Sequence, residues 1–137
     1  MHEDDFKELA KLRIERALEL TAEAQELLNN ESYKSANNRA YYAIEKSLAA
    51  LLATIGIQTQ THKGCLLQFN LWFVQQENND FSINDYKIAA KAEKIRNASD
   101  YDDFYIADKN ETREQVENSI YFCNKVKDYL KTWYNPG

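Results

Sequence analysis

Residues that interrupt helices are scarce in this chain. Only three glycines and one proline occur among 137 residues. Because these two residue types destabilise helix interiors most, a chain with so few of them favours long helices. Apolar residues recur at helical spacing, and no segment has the alternation of a convincing strand. The sequence therefore predicts one all-α domain over residues 1–137.

Five amphipathic segments joined by short polar links predict an up-down bundle of about five antiparallel helices. The predicted helices span 6–28, 33–55, 62–76, 83–99 and, after a loop over 100–109, the stretch ending at 134. The predicted helix starts are an N-cap at Thr61 and capping boxes at Ser82/Asp85 and Asp108/Glu111. Gly56 is predicted to end the second helix and Asn135-Pro136-Gly137 the fifth, and residues 77–80 form a predicted turn. The second helix is apolar around most of its circumference, which indicates a central position or a second packing surface against another chain.

Arg96 is the most informative residue of the fourth helix. It lies seven residues after Ala89 and four after Ala92, so its side chain follows the edge of the buried stripe. An unpaired buried guanidinium is costly, so Arg96 must meet a carboxylate, a ligand or a neighbouring subunit. The simplest interpretation is an i,i+4 ion pair with Asp100 on the same helix.

A second interpretation of Arg96 depends on topology. In an up-down bundle we expect helices two and four to run parallel, which would place His62 and Lys63 near Arg96, Asp100 and Tyr101. An imidazole, an ammonium, a guanidinium, a carboxylate and a phenol suit phosphate contact and proton transfer. The alternative for His62 is a local structural role in the first turn of its helix.

The remaining features narrow the functional class. A formal net charge of −5 weighs against a general nucleic-acid binder but leaves room for a small basic pocket. Cys65 and Cys123 occupy apolar positions, which predicts free buried thiols, and no metal or cofactor is indicated.

Asn37 falls on the inward stripe of helix two, and we interpret it as a structural amide at the bundle end opposite Arg96. The acidic N-terminus is unlike a signal peptide, and no apolar run could span a membrane, so we expect a cytoplasmic protein.

Three motifs together resemble a known family. They are Asn38-Arg39-Ala40-Tyr41-Tyr42-Ala43, Thr61-His62-Lys63-Gly64 and Arg96-Asn97-Ala98-Ser99-Asp100-Tyr101. In this order and spacing the chain is similar to the HEPN-domain superfamily (higher eukaryotes and prokaryotes nucleotide-binding), in particular its small single-domain prokaryotic branch. The resemblance covers nearly the whole chain. It implies a bundle of four or five helices, a homodimer, and a toxin whose antitoxin partner is a minimal nucleotidyltransferase.

The resemblance also implies roles for individual residues. Active members are metal-independent ribonucleases whose signature is an arginine, often followed by asparagine, and a histidine after four to six further residues. Arg96 and Asn97 match its first half, while Tyr101 stands where the histidine is expected. The only histidines are His2 and His62, so His62 is the candidate replacement. In related pairs the antitoxin attaches a nucleotide to a tyrosine near the motif, for which Tyr101 and Tyr105 are the candidates.

Three functional hypotheses follow. The first is a toxin-like ribonuclease in which Arg96 holds the scissile phosphate. The second is a non-catalytic module that binds a nucleotide or RNA, or docks a partner; the missing histidine and the acidic balance favour it. The third is a purely structural helical dimer, which the cluster of polar side chains around Arg96 disfavours. We predict a toxin–antitoxin context with RNA as the target and leave open whether the chain is an enzyme.

Overall fold

The computed structural model describes residues 3–77 and 80–134. These residues form five α-helices and no strand, so the predicted all-α bundle is confirmed. The helices are α1 (Glu3–Asn29), α2 (Tyr33–Ala53), α3 (His62–Phe69), α4 (Ile83–Tyr101) and α5 (Lys109–Tyr134). Two positions of the turn predicted at 77–80, Asn78 and Asn79, and the stop predicted at Asn135-Pro136-Gly137 lie outside the described residues.

Most helix ends are set by the residues that the sequence indicates. Gly56 has a φ of +70°, and the backbone N–H of Ile57 reaches back to the carbonyl of Leu52 at 3.1 Å, which ends α2 slightly earlier than predicted. The Thr61 side chain accepts a hydrogen bond from the Gly64 N–H at 3.0 Å, as expected of an N-cap. The predicted Ser82/Asp85 capping box is present at the start of α4.

The third helix differs from the prediction in its second half. It is α-helical only to Phe69, and Asn70–Val74 forms a π-helical segment closed by a Gln75 N–H to Asn70 carbonyl bond of 2.9 Å. A π-turn inserts one extra residue into the helix, which changes the side of the helix on which the following side chains lie. Phe73 and Val74 are buried beside Phe69 as a result, while Leu71 and Trp72 remain exposed.

Helix α2 lies at the centre of the bundle, as its apolar circumference predicts, and it packs against all four other helices. Ile44, Leu48 and Leu51 are fully buried along it. Cys65 and Cys123 are free and buried, which confirms the prediction for both thiols. Within the described ranges, no helix combines the length and apolar character needed to cross a bilayer.

The direction of α4 corrects the sequence-based expectation. Asn37 donates to Thr112 at 3.1 Å, and the Cys123 thiol lies 3.4 Å from the Ala43 carbonyl, so α2 and α5 run parallel. By contrast, Asp85 at the start of α4 contacts Lys125, which lies in the second half of α5. Helix α4 is therefore antiparallel to α5 and to α2, and the expectation that helices two and four run parallel is wrong.

The connection over residues 54–61 explains this arrangement. The aromatic ring of His62, the first residue of α3, lies 5.0 Å from the ring of Tyr41, twelve residues before the end of α2. Twelve helical residues span about 18 Å, a distance that the eight connecting residues can cover in extended form. The chain thus runs back along α2 before α3 begins. Asn37 consequently lies one turn from Tyr41, at the same end of the bundle as Arg96 and not at the opposite end.

Candidate functional site

The Arg96 side chain lies against two consecutive tyrosines of α2. Its guanidinium carbon is 5.0 Å from the centre of the Tyr41 ring and 5.9 Å from that of Tyr42. One terminal nitrogen also faces the Tyr42 hydroxyl at 3.5 Å. The negative faces of aromatic rings attract a guanidinium. These contacts explain how a charged side chain is accommodated at the edge of a buried stripe.

Arg96 also forms the ion pair with Asp100 that is its simplest sequence interpretation. Its Nε lies 3.3 Å from the Asp100 carboxylate, and 28% of the arginine side chain and 37% of the aspartate side chain remain exposed. Ion pairs with this exposure are worth ~1 kcal/mol or less. Burial lowers the pKa of Arg96, but Tyr41, Tyr42 and Asp100 outweigh it and raise the pKa above its usual value. The guanidinium is therefore always charged. The two tyrosine rings contact it, and part of the side chain remains exposed to solvent.

The His62 ring lies 5.0 Å from the Tyr41 ring, so Tyr41 contacts both His62 and Arg96. Both His62 ring nitrogens are buried and have no hydrogen-bond partner of good geometry in the described part of the chain. Burial lowers the pKa of His62, and Glu93 and Glu45 only partly oppose that effect. His62 is therefore neutral near pH 7. The expected proximity of His62 and Arg96 is present, but the returning connection produces it, not parallel helices.

The site also contains Tyr41, Tyr42 and Glu45, which the sequence pattern does not single out as site residues. Tyr41 is buried on the inward stripe, which made it a core position, and its hydroxyl is hydrogen-bonded to the Glu45 side chain. Burial and this hydrogen bond raise the pKa of Tyr41, which keeps the phenol neutral. A usable signal existed: an arginine beside a buried stripe requires an aromatic or acidic surface, and adjacent tyrosines in a helix can offer one.

Lys63 and Asn97 face a groove next to Arg96 and do not join its immediate contacts. The groove lies between α3 and α4 and has a volume of about 780 Å³. Its lining residues are Thr61, Lys63, Gly64, Leu66, Leu67, Tyr86, Ala90, Glu93, Lys94 and Asn97. We call it the α3–α4 groove.

The two candidate tyrosines at the end of α4 differ in accessibility. Tyr101 is 78% exposed, and its hydroxyl makes no hydrogen bond to any described residue. The Tyr105 hydroxyl donates to the Glu111 carboxylate at 3.0 Å. Burial, together with Glu111, raises the pKa of Tyr105 to about 12. Of the two phenols, that of Tyr101 is free to react without breaking an existing contact.

The described residues contain no group of three or more His, Cys, Asp or Glu side chains placed to hold a metal ion. What they bring together around Arg96 is a fixed guanidinium, a neutral imidazole and a carboxylate. Such a set can bind an anionic oxygen and, if a ring nitrogen becomes accessible, move a proton.

Comparisons with known proteins agree with this architecture. A family model described as the HEPN domain matches residues 10–133. "Putative toxin MJ0605" of Methanocaldococcus jannaschii is 35% identical over 132 residues, which cover 93% of this chain and 92% of that protein. "Putative toxin MJ0142" of the same organism is 32% identical over 124 residues, or 90% and 82% of the two chains. A "UPF0332 protein" of Thermotoga maritima is 27% identical over 116 residues, or 85% and 86%. Because the family model spans most of the sequence and two relatives exceed 30% identity, the chain belongs to the HEPN domain family.

Proposed function

We propose that this chain is the toxin component of a toxin–antitoxin pair, that it acts on RNA, and that Arg96 contacts an RNA phosphate. The observation that carries the proposal is the fixed guanidinium, which rests against Tyr41 and Tyr42 while part of it remains open to solvent. A guanidinium held in one orientation presents a planar fork that matches two phosphate oxygens. The two archaeal relatives that carry the name toxin support the biological role.

The proposed reaction is metal-independent cleavage of the RNA backbone. The ribose 2′-oxygen would form a bond to phosphorus while the bond to the 5′-oxygen breaks, so the 2′-hydroxyl loses a proton and the leaving oxygen gains one. Arg96 would stabilise the charge on the non-bridging oxygens. His62 is the candidate for proton transfer, because its imidazole is neutral near pH 7 and a neutral imidazole can accept a proton. For that role a side-chain rotation must bring a ring nitrogen to the surface, since both are buried.

The proposal includes partners. We propose that the toxin is a homodimer and that a minimal nucleotidyltransferase is its antitoxin. In silencing, a tyrosine oxygen would attack the α-phosphorus of a nucleoside triphosphate, release pyrophosphate and lose its proton. Tyr101 is the preferred acceptor because its hydroxyl is exposed, whereas that of Tyr105 is bonded to Glu111. Mass spectrometry after treatment with the antitoxin would detect the added nucleotide in wild type and in Tyr105→Phe but not in Tyr101→Phe.

The decisive experiment is RNA cleavage by the purified chain in the presence of a chelator. Arg96→Ala is compared with Arg16→Ala, whose arginine lies on α1 and pairs with Glu19 and Glu23. We expect Arg96→Ala to lose cleavage by ~10²-fold or more while Arg16→Ala cleaves as wild type does. Equal loss in the two variants, or full activity of a folded Arg96→Ala, would refute the role of Arg96.

A second candidate function is RNA or nucleotide binding without cleavage, or docking of a partner. Tyr101 in place of the signature histidine favours it, because a phenol is a much poorer proton acceptor than an imidazole. The buried nitrogens of His62 favour it as well. Fluorescence anisotropy with labelled single-stranded RNA separates the two candidates. Binding that needs Arg96, with no cleavage by wild type, would support the non-catalytic function.

A further inference from the structure

The last residue of α4 and the loop that follows it present an unusual amount of apolar surface. Tyr101, Phe104 and Ile106 are 78%, 92% and 86% exposed. Three large apolar side chains within six residues are not the scattered exposure of an ordinary surface. We call residues 101–106 the aromatic loop.

The aromatic loop has a defined conformation. The Asp102 carboxylate accepts a hydrogen bond from the Phe104 N–H at 2.9 Å, and the Asp102 carbonyl accepts one from the Tyr105 N–H at 3.0 Å. The Tyr105 hydroxyl is fixed to Glu111. Because Tyr105 faces the protein, its neighbours Phe104 and Ile106 face outward. A loop already held in this conformation loses little conformational entropy when it binds.

The α3–α4 groove offers a surface of matching chemistry. Leu66, Tyr86 and Ala90 line it, and the rim residue Leu67 is 63% exposed. At about 780 Å³, the groove has room for several side chains. Lys63 and Lys94 also line it.

The charges of the two surfaces are complementary. Neither Lys63 nor Lys94 forms an ion pair with another described residue, although Glu93 contributes one negative charge to the groove. On the aromatic loop, the Asp103 carboxylate is exposed and likewise unpaired within the described chain. Opposite charges in apposed surfaces fix register and favour one partner over others.

The loop of the same molecule is held away from this groove. Tyr105 packs in a separate depression on α4, lined also by Lys91, Ile95, Ala98 and Glu111. That depression faces α5, whereas the α3–α4 groove lies on the other side of the ridge formed by Ala90 and Lys94, which line both. The loop would have to release the Tyr105–Glu111 bond to cross this ridge.

We infer that the aromatic loop of one copy of this chain inserts into the α3–α4 groove of a second copy. Phe104 and Ile106 then cover Leu67, and Asp103 approaches Lys63 and Lys94. In a two-fold dimer each contact is made twice, so its contribution is doubled. Since Asn97 lines the groove, each loop would border the Arg96 site of the other copy. This inference rests on the self-association proposed above and is independent of RNA cleavage.

Sedimentation velocity of the full chain, over a concentration series reaching ~100 µM, tests the apolar contact. We expect a dimer for wild type. We expect at least a ~10-fold weaker dimer for the Phe104→Ser/Ile106→Ser double variant and for Leu67→Ser. Leu12→Ser is the matched control, because Leu12 is a 54% exposed leucine on α1, and its dimer should be as stable as that of wild type. Circular dichroism verifies that each variant is folded.

A charge exchange tests the register. Lys63→Glu/Lys94→Glu and Asp103→Lys should each weaken the dimer, and a chain that carries all three substitutions should regain most of the lost affinity. A wild type that is monomeric throughout overturns the inference, as does a wild-type dimer that none of these substitutions weakens or whose charge exchange brings no recovery. RNA cleavage by the same preparations is scored separately. A monomer that cleaves RNA through Arg96 would refute the loop–groove contact and leave the proposed RNA function standing.

Discussion

Asp85 anchors the start of the helix that carries Arg96, and its replacement gives a quantitative prediction. The Asp85 side chain is 0% exposed. It accepts hydrogen bonds from Lys125 at 2.6 Å, from the Tyr121 hydroxyl at 2.7 Å and from the Ser82 N–H at 2.8 Å. An Asp85→Asn substitution keeps the size and one acceptor oxygen but turns an amide NH₂ toward these donors. The charge and at least one hydrogen bond are lost.

The magnitude follows from the exposure of the partners. A hydrogen bond to a charged group contributes ~1.5–3 kcal/mol when its partner cannot reach water. The Lys125 side chain is 32% exposed and Tyr121 is 45% exposed, so both can partly recover hydration. Ion pairs that reach solvent contribute ~1 kcal/mol or less. We therefore expect Asp85→Asn to lower the free energy of unfolding by about 2 kcal/mol at neutral pH.

Urea unfolding followed by circular dichroism measures this loss. Asp108→Asn is the matched control, because Asp108 caps α5 from an exposed position and asparagine caps helices as well as aspartate does. It should lose less than ~0.5 kcal/mol. Equal losses in the two variants would refute the argument that burial makes Asp85 important.

The pH dependence gives an independent test. Burial raises the pKa of Asp85, but Lys125, the Ser82 N–H and Tyr121 outweigh it and hold the pKa below its usual value. A group whose pKa is depressed in the folded state stabilises fully above its unfolded-state pKa of about 3.9, and this contribution is lost as the pH falls through the folded-state pKa. The gap in unfolding free energy between wild type and Asp85→Asn should therefore have its full size at neutral pH and disappear in strong acid. A gap that is unchanged in acid would contradict the assigned ionisation.

Three further predictions concern single residues. Tyr41→Leu removes the ring that contacts both Arg96 and His62 and should weaken RNA binding by ~5-fold or more in anisotropy titrations, whereas Tyr41→Phe keeps the ring and should lose less than half of that effect. Gly56→Ala places an alanine at a φ of +70° and should cost about 1 kcal/mol of unfolding free energy in urea, although an added Cβ meets no atom closer than 3.6 Å. Asn37→Ala leaves the buried Thr112 hydroxyl without its donor and should cost about 2 kcal/mol in the same assay, an expectation that wild-type stability would contradict.

The sequence is a good guide to the helices because the relevant physics is local. Caps at Thr61 and Ser82 act on N–H groups within three residues, and Gly56 acts through its own φ. The direction of α4 depends on the path of residues 54–61, which no local preference determines. A short link is normally taken to join antiparallel neighbours, but this one runs back along α2 and makes α3 parallel to it.

The candidate site was predictable only in part for the same reason. The pair of Arg96 and Asp100 lies on one helix at i,i+4 and follows from spacing alone. The contact between Arg96 and Tyr42 joins residues 54 positions apart and requires the tertiary fold. Asn37 shows the limit most clearly, because it is buried as interpreted, yet it lies at the same end of the bundle as Arg96 and not at the opposite end.

Helix α2 carries the core of the bundle and the tyrosines of the site on the same few turns. Tyr41 lies two positions before the buried pair Ala43 and Ile44, and it is itself 3% exposed. A substitution there changes the packing of the core and the support of Arg96 together, so the two cannot be altered separately. The aromatic loop is under no such constraint, since exposed side chains contribute little to stability. Phe104 and Ile106 can therefore be replaced with little effect on the folded state, so any contact they make is separable from stability, whereas the support that Tyr41 gives to Arg96 is not.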